Sequence, residues 1–173
     1  MLDVYKIRKD FPILGKKVNN TDLIYFDNAA TSQTPNQVID VISSYYKENN
    51  SNIHRGLHSL SADATNKYEN SRSIIKNHFG AAHDHEIIFT SGTTHGINII
   101  SSGLEKLISS KDELIVSEME HHSNIVPWQM LCEKTGSKLK VIPINDDGTL
   151  DMNEHKSLPV SYTHLTLPTT HCV

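Results

Sequence analysis

The stretch that most limits what this chain can become is Glu86–Ile108, EIIFTSGTTHGINIISSGLEKLI. It opens on a short apolar, β-rich run, Ile87-Ile88-Phe89, and turns through Thr90-Ser91-Gly92-Thr93-Thr94. After Gly96 it carries apolar residues at Ile97, Ile100, Leu104, Leu107 and Ile108. That spacing is one face of a helix. A strand, a turn of small residues and a helix start together make a ready anion site, because free backbone N–H groups and the helix dipole both favour negative charge there. Thr93 and Thr94 add hydroxyl donors, and Gly92 lets a ligand approach the backbone. Two readings stand side by side: a phosphate cradle, or the capped helix of any α/β protein, since Ser and Thr are ordinary N-caps.

The rest of the chain supplies the frame. Thr34-Pro35-Asn36-Gln37 predicts a helix start, with Thr34 as N-cap, Pro35 as first helical residue and Gln37 closing a capping box. Val38, Val41, Ile42 and Tyr45 follow at helical spacing, and the helix fails at Asn49-Asn50. A second helix is expected over 61–79, with Ala64, Tyr68, Ile75 and Phe79 on one side and Gly80 as its left-handed stop. Leu23-Ile24-Tyr25-Phe26, Glu113-Leu114-Ile115-Val116 and Lys138–Pro143 read as strands. A further helix is expected over roughly 125–134, with Pro127 tolerated in its first turn and Gly136 at its end. Strands alternating with helices predict an α/β fold with a parallel sheet and right-handed crossovers. Ligands of such sheets sit beyond the carboxyl ends of the strands. The turns at 90–94 and 118–123 both fall there, which favours the cradle.

The bulk numbers narrow the function classes. With 173 residues the chain is long enough for one domain with a real core. A hydrophobic share of 37% and a charged share of 21% describe a folded chain rather than a disordered one. A net charge of -4 gives no electrostatic footprint for nucleic acid or an anionic membrane surface. No apolar run approaches a membrane span, and the start, MLDVYKIRKDF, lacks the apolar core of a secretory signal. Two cysteines, Cys132 and Cys172, cannot build a disulfide framework, which fits a reducing cytoplasm. The 11 histidines invite a zinc site from His54, His58, His121 and His122. Adjacent histidines on an extended strand face opposite ways and no Cys-x-x-Cys accompanies them, so no metal is expected.

Several segments carry a family resemblance. HRGLHSLSADAT at 54–65, TSGTTHGIN at 90–98 and MEHHSNIVPWQML at 119–131 resemble the matching segments of Suf-type (group II) cysteine desulfurases. DNAATSQTP at 27–35 and VIPINDDGTLD at 141–151 fit the same group, which belongs to the class V aminotransferases of fold type I. The resemblance covers about residues 1–158. It implies a pyridoxal 5'-phosphate cofactor, with Thr93 and Thr94 on its phosphate and His121 stacked over its ring and taking part in proton transfer. Ala29 and Ala30 match a loop lying against the substrate. His54 and Arg55 match a motif at the mouth of the site, where a guanidinium could pair with a substrate carboxylate. The implied reaction takes sulfur from L-cysteine, leaves L-alanine and a protein persulfide, and serves iron–sulfur cluster assembly. The implied partners are a sulfur acceptor of the Suf system and a second copy in a homodimer. L-selenocysteine as substrate, another class V activity, and a non-catalytic phosphate-binding module stay open beside it.

The same comparison sets bounds. The family's aspartate beneath the pyridine nitrogen, its Schiff-base lysine, its carboxylate-binding arginine and its sulfur-accepting cysteine match nothing here. The chain therefore reads as an N-terminal part, inactive alone. Residues 1–30 form an arm and substrate-side loop, 31–158 the beginning of the large cofactor-binding domain, and 159–173 a tail outside the family pattern. Cys132, inside a helix, reads as a small packed residue, and Cys172 lies in the tail.

Overall fold

The computed structural model describes residues 2–151 and 163–165. They fall into two compact units, Met1–Ile88 and Phe89–Val173.

The first unit opens on helix α1 (Val4–Arg8), capped by Asp3, whose Oδ1 accepts the Lys6 N–H at 3.0 Å. Strands β1 (Lys17–Val18) and β2 (Thr21–Asp22) pair antiparallel. The two residues between them, Asn19 and Asn20, have φ of 51° and 61°, the left-handed pair that a tight hairpin turn demands and that Asn tolerates. The expected strand over 23–26 is not one. Leu23 N–H still reaches the Lys16 carbonyl at 3.1 Å, but beyond it no ladder forms among the described residues. A strand needs a partner for its backbone groups, and no described segment offers one.

Helix α2 (Asn36–Ser44) begins one residue later than the predicted first residue, Pro35. Pro35 is the N-cap residue and no side chain caps the helix. The Asn36 N–H instead donates to the Asp10 carbonyl at 2.7 Å, so backbone from the arm takes the place of the expected capping box. The helix ends in a π-turn, Tyr45–Asn49. Helix α3 (Ser59–Phe79) is stopped by Gly80 at φ 70°, as expected. Of its predicted face, Ala64 is buried and Phe79 is exposed.

The second unit holds helix α4 (Thr93–Leu104), strand β3 (Glu113–Ser117), helix α5 (Val126–Thr135), strand β4 (Lys138–Ile142) and strand β5 (Thr163–Leu165). β3 lies between β4 and β5 and is parallel to both. The register runs from Glu113 opposite Lys138 to Ser117 opposite Ile142 on one side, and from Glu113 opposite Thr163 to Ile115 opposite Leu165 on the other. Both edges of β3 are thus occupied. The expected strand Ile87–Phe89 forms no ladder among the described residues. α4 starts at Thr93, directly after the turn and before Gly96. α5 carries Pro127 in its first turn and stops at Gly136, φ 73°.

The core of this unit is Ile108, Leu114, Val116, Trp128, Leu131 and Cys132, with Ile97, Leu104 and Leu139 against it. Each large apolar side chain so buried contributes about 1.5–3 kcal/mol. Cys132 is indeed a small packed residue. Of the predicted α4 face, Ile97, Leu104 and Ile108 meet the core, whereas Ile100 and Leu107 are exposed. Leu107 lies past the helix end, in the turn that carries the chain toward β3, so helical spacing no longer governs it. The tail expected over 159–173 lies outside the described residues except for β5. Among the described residues no helix is long and apolar enough to cross a membrane.

Candidate functional site

The N-terminus of α4 is open. Gly92, its N-cap residue, has φ 140° and ψ 174°, a region that in practice only glycine occupies. A Cβ there would meet no atom within 4 Å, so backbone angle rather than crowding calls for glycine. The turn before it is fixed locally. Thr90 Oγ1 donates to the Gly92 carbonyl at 3.1 Å, and the Ser91 N–H donates to His95 Nδ1 at 3.2 Å. Ser91 Oγ lies 3.0 Å from the same nitrogen. Thr93 and Thr94 open the helix, are exposed, and make no side-chain hydrogen bond among the described residues. Their N–H groups belong to the first turn, where no helical carbonyl can accept them. Two amides, two hydroxyls and the positive end of a 12-residue helix therefore converge on one exposed spot. This donor set is the chemistry of a phosphate site, and it fits the phosphoryl end of pyridoxal phosphate.

His121 lies beyond the carboxyl end of β3, in the loop leading to α5. It is exposed and caps the 3-10 turn His122–Asn124, whose Ser123 N–H donates to its Nδ1 at 3.2 Å. An acceptor at Nδ1 favours the tautomer with the proton on Nε2. The His122 ring stands edge-on to it, with centroids 5.8 Å apart. α4 packs against the turn His122–Asn124 and against α5, and Ser101 Oγ ties α4 to α5 by donating to the Pro127 carbonyl at 3.0 Å. The cradle helix and the histidine loop are thus neighbours on one scaffold.

Beneath His121 lies a buried polar chain. Glu120 Oε1 accepts from Ser117 Oγ at 2.9 Å, and its Oε2 accepts from Asn124 Nδ2 at 2.8 Å. Asn124 Oδ1 in turn accepts from the Trp128 indole N–H at 2.8 Å. All four residues are buried. The sequence reading did not single out this chain of bonds. Glu118-Met119-Glu120 looks like a solvated acidic turn, and of its two carboxylates only that of Glu118 is exposed.

The remaining candidates belong to the first unit. Ala29 and Ala30 sit exposed in the turn that follows the unpaired 23–26 segment. Tyr25, also missed from sequence, fixes that turn: its hydroxyl donates to the Thr31 carbonyl at 2.6 Å and lies 3.0 Å from that of Asp27. His54 has φ 64°, which costs a residue with a Cβ about 1–3 kcal/mol. Three contacts hold it there. Its N–H donates to Thr65 Oγ1 at 3.0 Å, its Nε2 lies 2.9 Å from Glu69 Oε1, and its ring meets Tyr68 edge-on. Glu69 also pairs with Arg72 at 3.1 Å, and Arg72 donates to the Ile87 carbonyl. Arg55 next door is exposed and makes no ion pair among the described residues. His54 and His58 are four apart, but they lie in a bend rather than on one helical face, and His58 instead caps α3 by accepting the Ser61 N–H at 3.3 Å. Among the described residues no three metal-ligating side chains gather.

Comparison with known proteins follows the same lines. The family model described as Aminotransferase class-V matches residues 24–166. A probable cysteine desulfurase of Staphylococcus epidermidis is 50% identical over 156 residues, which are 90% of this chain and 38% of that protein. A cysteine desulfurase of Salmonella newport is 48% identical over 170 residues, 97% of this chain and 41% of that protein. Among solved structures, the apo cysteine desulfurase from Thermococcus onnurineus superposes with a TM-score of 0.79 at 40% identity, covering 89% of this chain and 37% of that one. The chain thus spans about two fifths of the length of the relatives it matches.

Proposed function

The chain belongs to the aminotransferase class-V family and carries part of its fold type I architecture, and on that premise we propose that it is the N-terminal part of a Suf-type cysteine desulfurase. The full protein would take sulfur from L-cysteine, leave L-alanine and a protein persulfide for iron–sulfur cluster assembly, and pass the sulfur to an acceptor protein. It would work as a homodimer. Residues 1–30 serve as the arm and substrate-side loop, and 31–158 as the start of the cofactor-binding domain. The observation that carries this reading is the exposed start of α4, with its unshared amides and hydroxyls, packed beside the loop that presents His121.

In this reading Thr93 and Thr94 hold the phosphate of pyridoxal 5'-phosphate. When bound, that cofactor supplies the electron sink for the amino acid's Cα. His121 lies over the ring and keeps its mobile proton on Nε2, because Nδ1 is engaged by Ser123. Ala29 and Ala30 line the substrate side with backbone alone. Arg55, free of an ion pair among the described residues, offers its guanidinium to a substrate carboxylate. His54, fixed by Thr65 and Glu69, sets the direction in which the Arg55 backbone leaves the bend.

The test separates binding from turnover. With millimolar pyridoxal phosphate the 173-residue chain gains thermal stability, by about 0.4 kcal/mol at a concentration equal to Kd. The double substitution Thr93→Val with Thr94→Val removes the gain. An equal gain in that variant sinks the cradle. With L-cysteine added, no alanine is released, and measurable release would show that this chain alone is an active enzyme.

A further inference from the structure

We propose that Glu120 is the positioning residue of His121: a buried carboxylate that clamps the loop on both sides of the histidine and so fixes the orientation of its ring. This rests on the reading of His121 as the ring-stacking, proton-moving residue.

The geometry points to it directly. One carboxylate oxygen takes the hydroxyl of Ser117, the last residue of β3, and the other takes the side-chain amide of Asn124, just ahead of α5. The two arms therefore straddle residue 121. Asn124 is held from its far side by the Trp128 indole, so the clamp is anchored in the core. The backbone of the loop closes in the same place. Asn124 N–H donates to the His121 carbonyl at 2.8 Å, and Glu120 N–H reaches the Ser117 carbonyl at 3.4 Å. The outcome at the top of the loop is a Ser123 N–H aimed at His121 Nδ1.

Burying a carboxylate is unfavourable unless its oxygens are satisfied. β3 and α5 do not need it to stay together, because the β3–β4 ladder and the apolar cluster around Leu114, Val116 and Trp128 already hold them. An apolar side chain would fill the same space. What it could not do is accept from residues 117 and 124 at once. The carboxylate therefore adds the fixation of the turn between strand and helix, and that turn carries the exposed His121 imidazole.

The test reads the ring itself. In the neutral Nε2–H tautomer the lone pair lies on Nδ1, where Ser123 shields it, so a small acylating reagent such as diethyl pyrocarbonate should modify His121 slowly. Site-resolved mass spectrometry on the 173-residue chain gives the rate at His121 relative to exposed His85. Glu120→Ala is expected to raise that ratio about threefold or more, the scale of losing one or two hydrogen bonds. Glu120→Gln, which can still accept from Asn124 and donate to Ser117, is expected to stay within about twofold of the parent. Leu131→Ala weakens the core that Trp128 shares but removes none of the clamp's hydrogen bonds, and is expected to leave the ratio unchanged. The proposal is overturned if Glu120→Ala leaves the ratio as it was, if Glu120→Gln rises as far as Glu120→Ala, or if Leu131→Ala raises it equally. Emission from Trp128, the one tryptophan in the chain, reports folding. Should Glu120→Ala unfold, Ser117→Ala removes a single arm and decides the matter: a raised ratio supports the clamp and an unchanged one ends it. Protection of His121 in the parent chain by pyridoxine 5'-phosphate, which has no reactive aldehyde, reads out the ring-stacking role separately.

Discussion

At the scale of single residues, the two candidate histidines are each held by named partners. His54 keeps an unfavourable backbone angle because Thr65, Tyr68 and Glu69 all meet it. His121 meets Ser123 through Nδ1 and the His122 ring edge-on. Thr93, Thr94, His121, Ala29, Ala30, His54 and Arg55 were all offered as candidates by the sequence, because each lies in a segment whose order of residue types is distinctive. Their supports were not. Glu69 is one acid on a long polar helix, Tyr25 one aromatic in an apolar run, and Glu120 one of two carboxylates in a turn. What singles them out is a partner brought close by folding, and composition carries no trace of that. Another such contact makes a prediction. Asp84 takes a hydrogen bond from Lys76 at 3.3 Å, which is the main cause that holds its carboxyl below the ordinary 3.8; burial opposes the shift, and Ser73, the Lys76 charge and Arg72 add to it. A carboxylate depressed in the folded state stabilises above its unfolded value, and that contribution is lost as pH falls through the folded one. Melting temperature should therefore fall on acidification below about pH 4, and Asp84→Asn should make the fall shallower. The group is half exposed, so the change is small. Parent and variant melting in parallel across that range would remove the assignment.

At the scale of elements, helices and strands were not equally readable. α3 and α5 were anticipated because a helical run and a terminal glycine agree with each other there, and β3 and β4 because each is a short apolar, β-rich run. The left-handed stops at Gly80 and Gly136 are where the sequence placed them. The runs 23–26 and 87–89 have the same strand-like composition as β3 and yet form no ladder among the described residues. Strand identity belongs to a pair, and pairing is decided by segments elsewhere in the chain. The start of α2 shows the same limit, since a main-chain carbonyl from Asp10 replaces a side-chain cap that the local residues were able to supply. The start of α4 is the element on which the proposed function turns. Gly92→Ala puts a Cβ on a backbone angle of φ 140° without any clash, so its effect is pure strain, about 1–3 kcal/mol. The helix is expected to relieve that strain by shifting its first turn, with loss of phosphate-dependent stabilisation. Chemical denaturation with and without phosphate measures both. An alanine variant as stable and as phosphate-responsive as the parent would mean that the angle is not required.

At the scale of the whole molecule, apolar surface is conspicuous. Val41, Ile42 and Tyr46 on and after α2 are each more than half exposed, and Phe26 is 93% exposed. In the first unit the residues counted as buried are only Ser61 and Ala64 among those described. Exposed apolar area on this scale marks surfaces that seek cover, and the outer edge of β4 is unpaired among the described residues. The 173-residue chain is expected to self-associate, with light scattering that rises with concentration. Scattering of a monomer that stays flat across the concentration range would contradict this. The second unit is better built, and the order of its parts has a consequence for how it comes into being. β3, the turn His122–Asn124, α5 and β4 follow one another in sequence; β3 and α5 meet in the apolar cluster, and α5 packs on β4. Closing so short a circuit demands little chain entropy. Every residue of this kernel emerges from the ribosome ahead of those that follow Ile142, so it can condense during synthesis, with the imidazole-bearing turn formed ahead of the later chain.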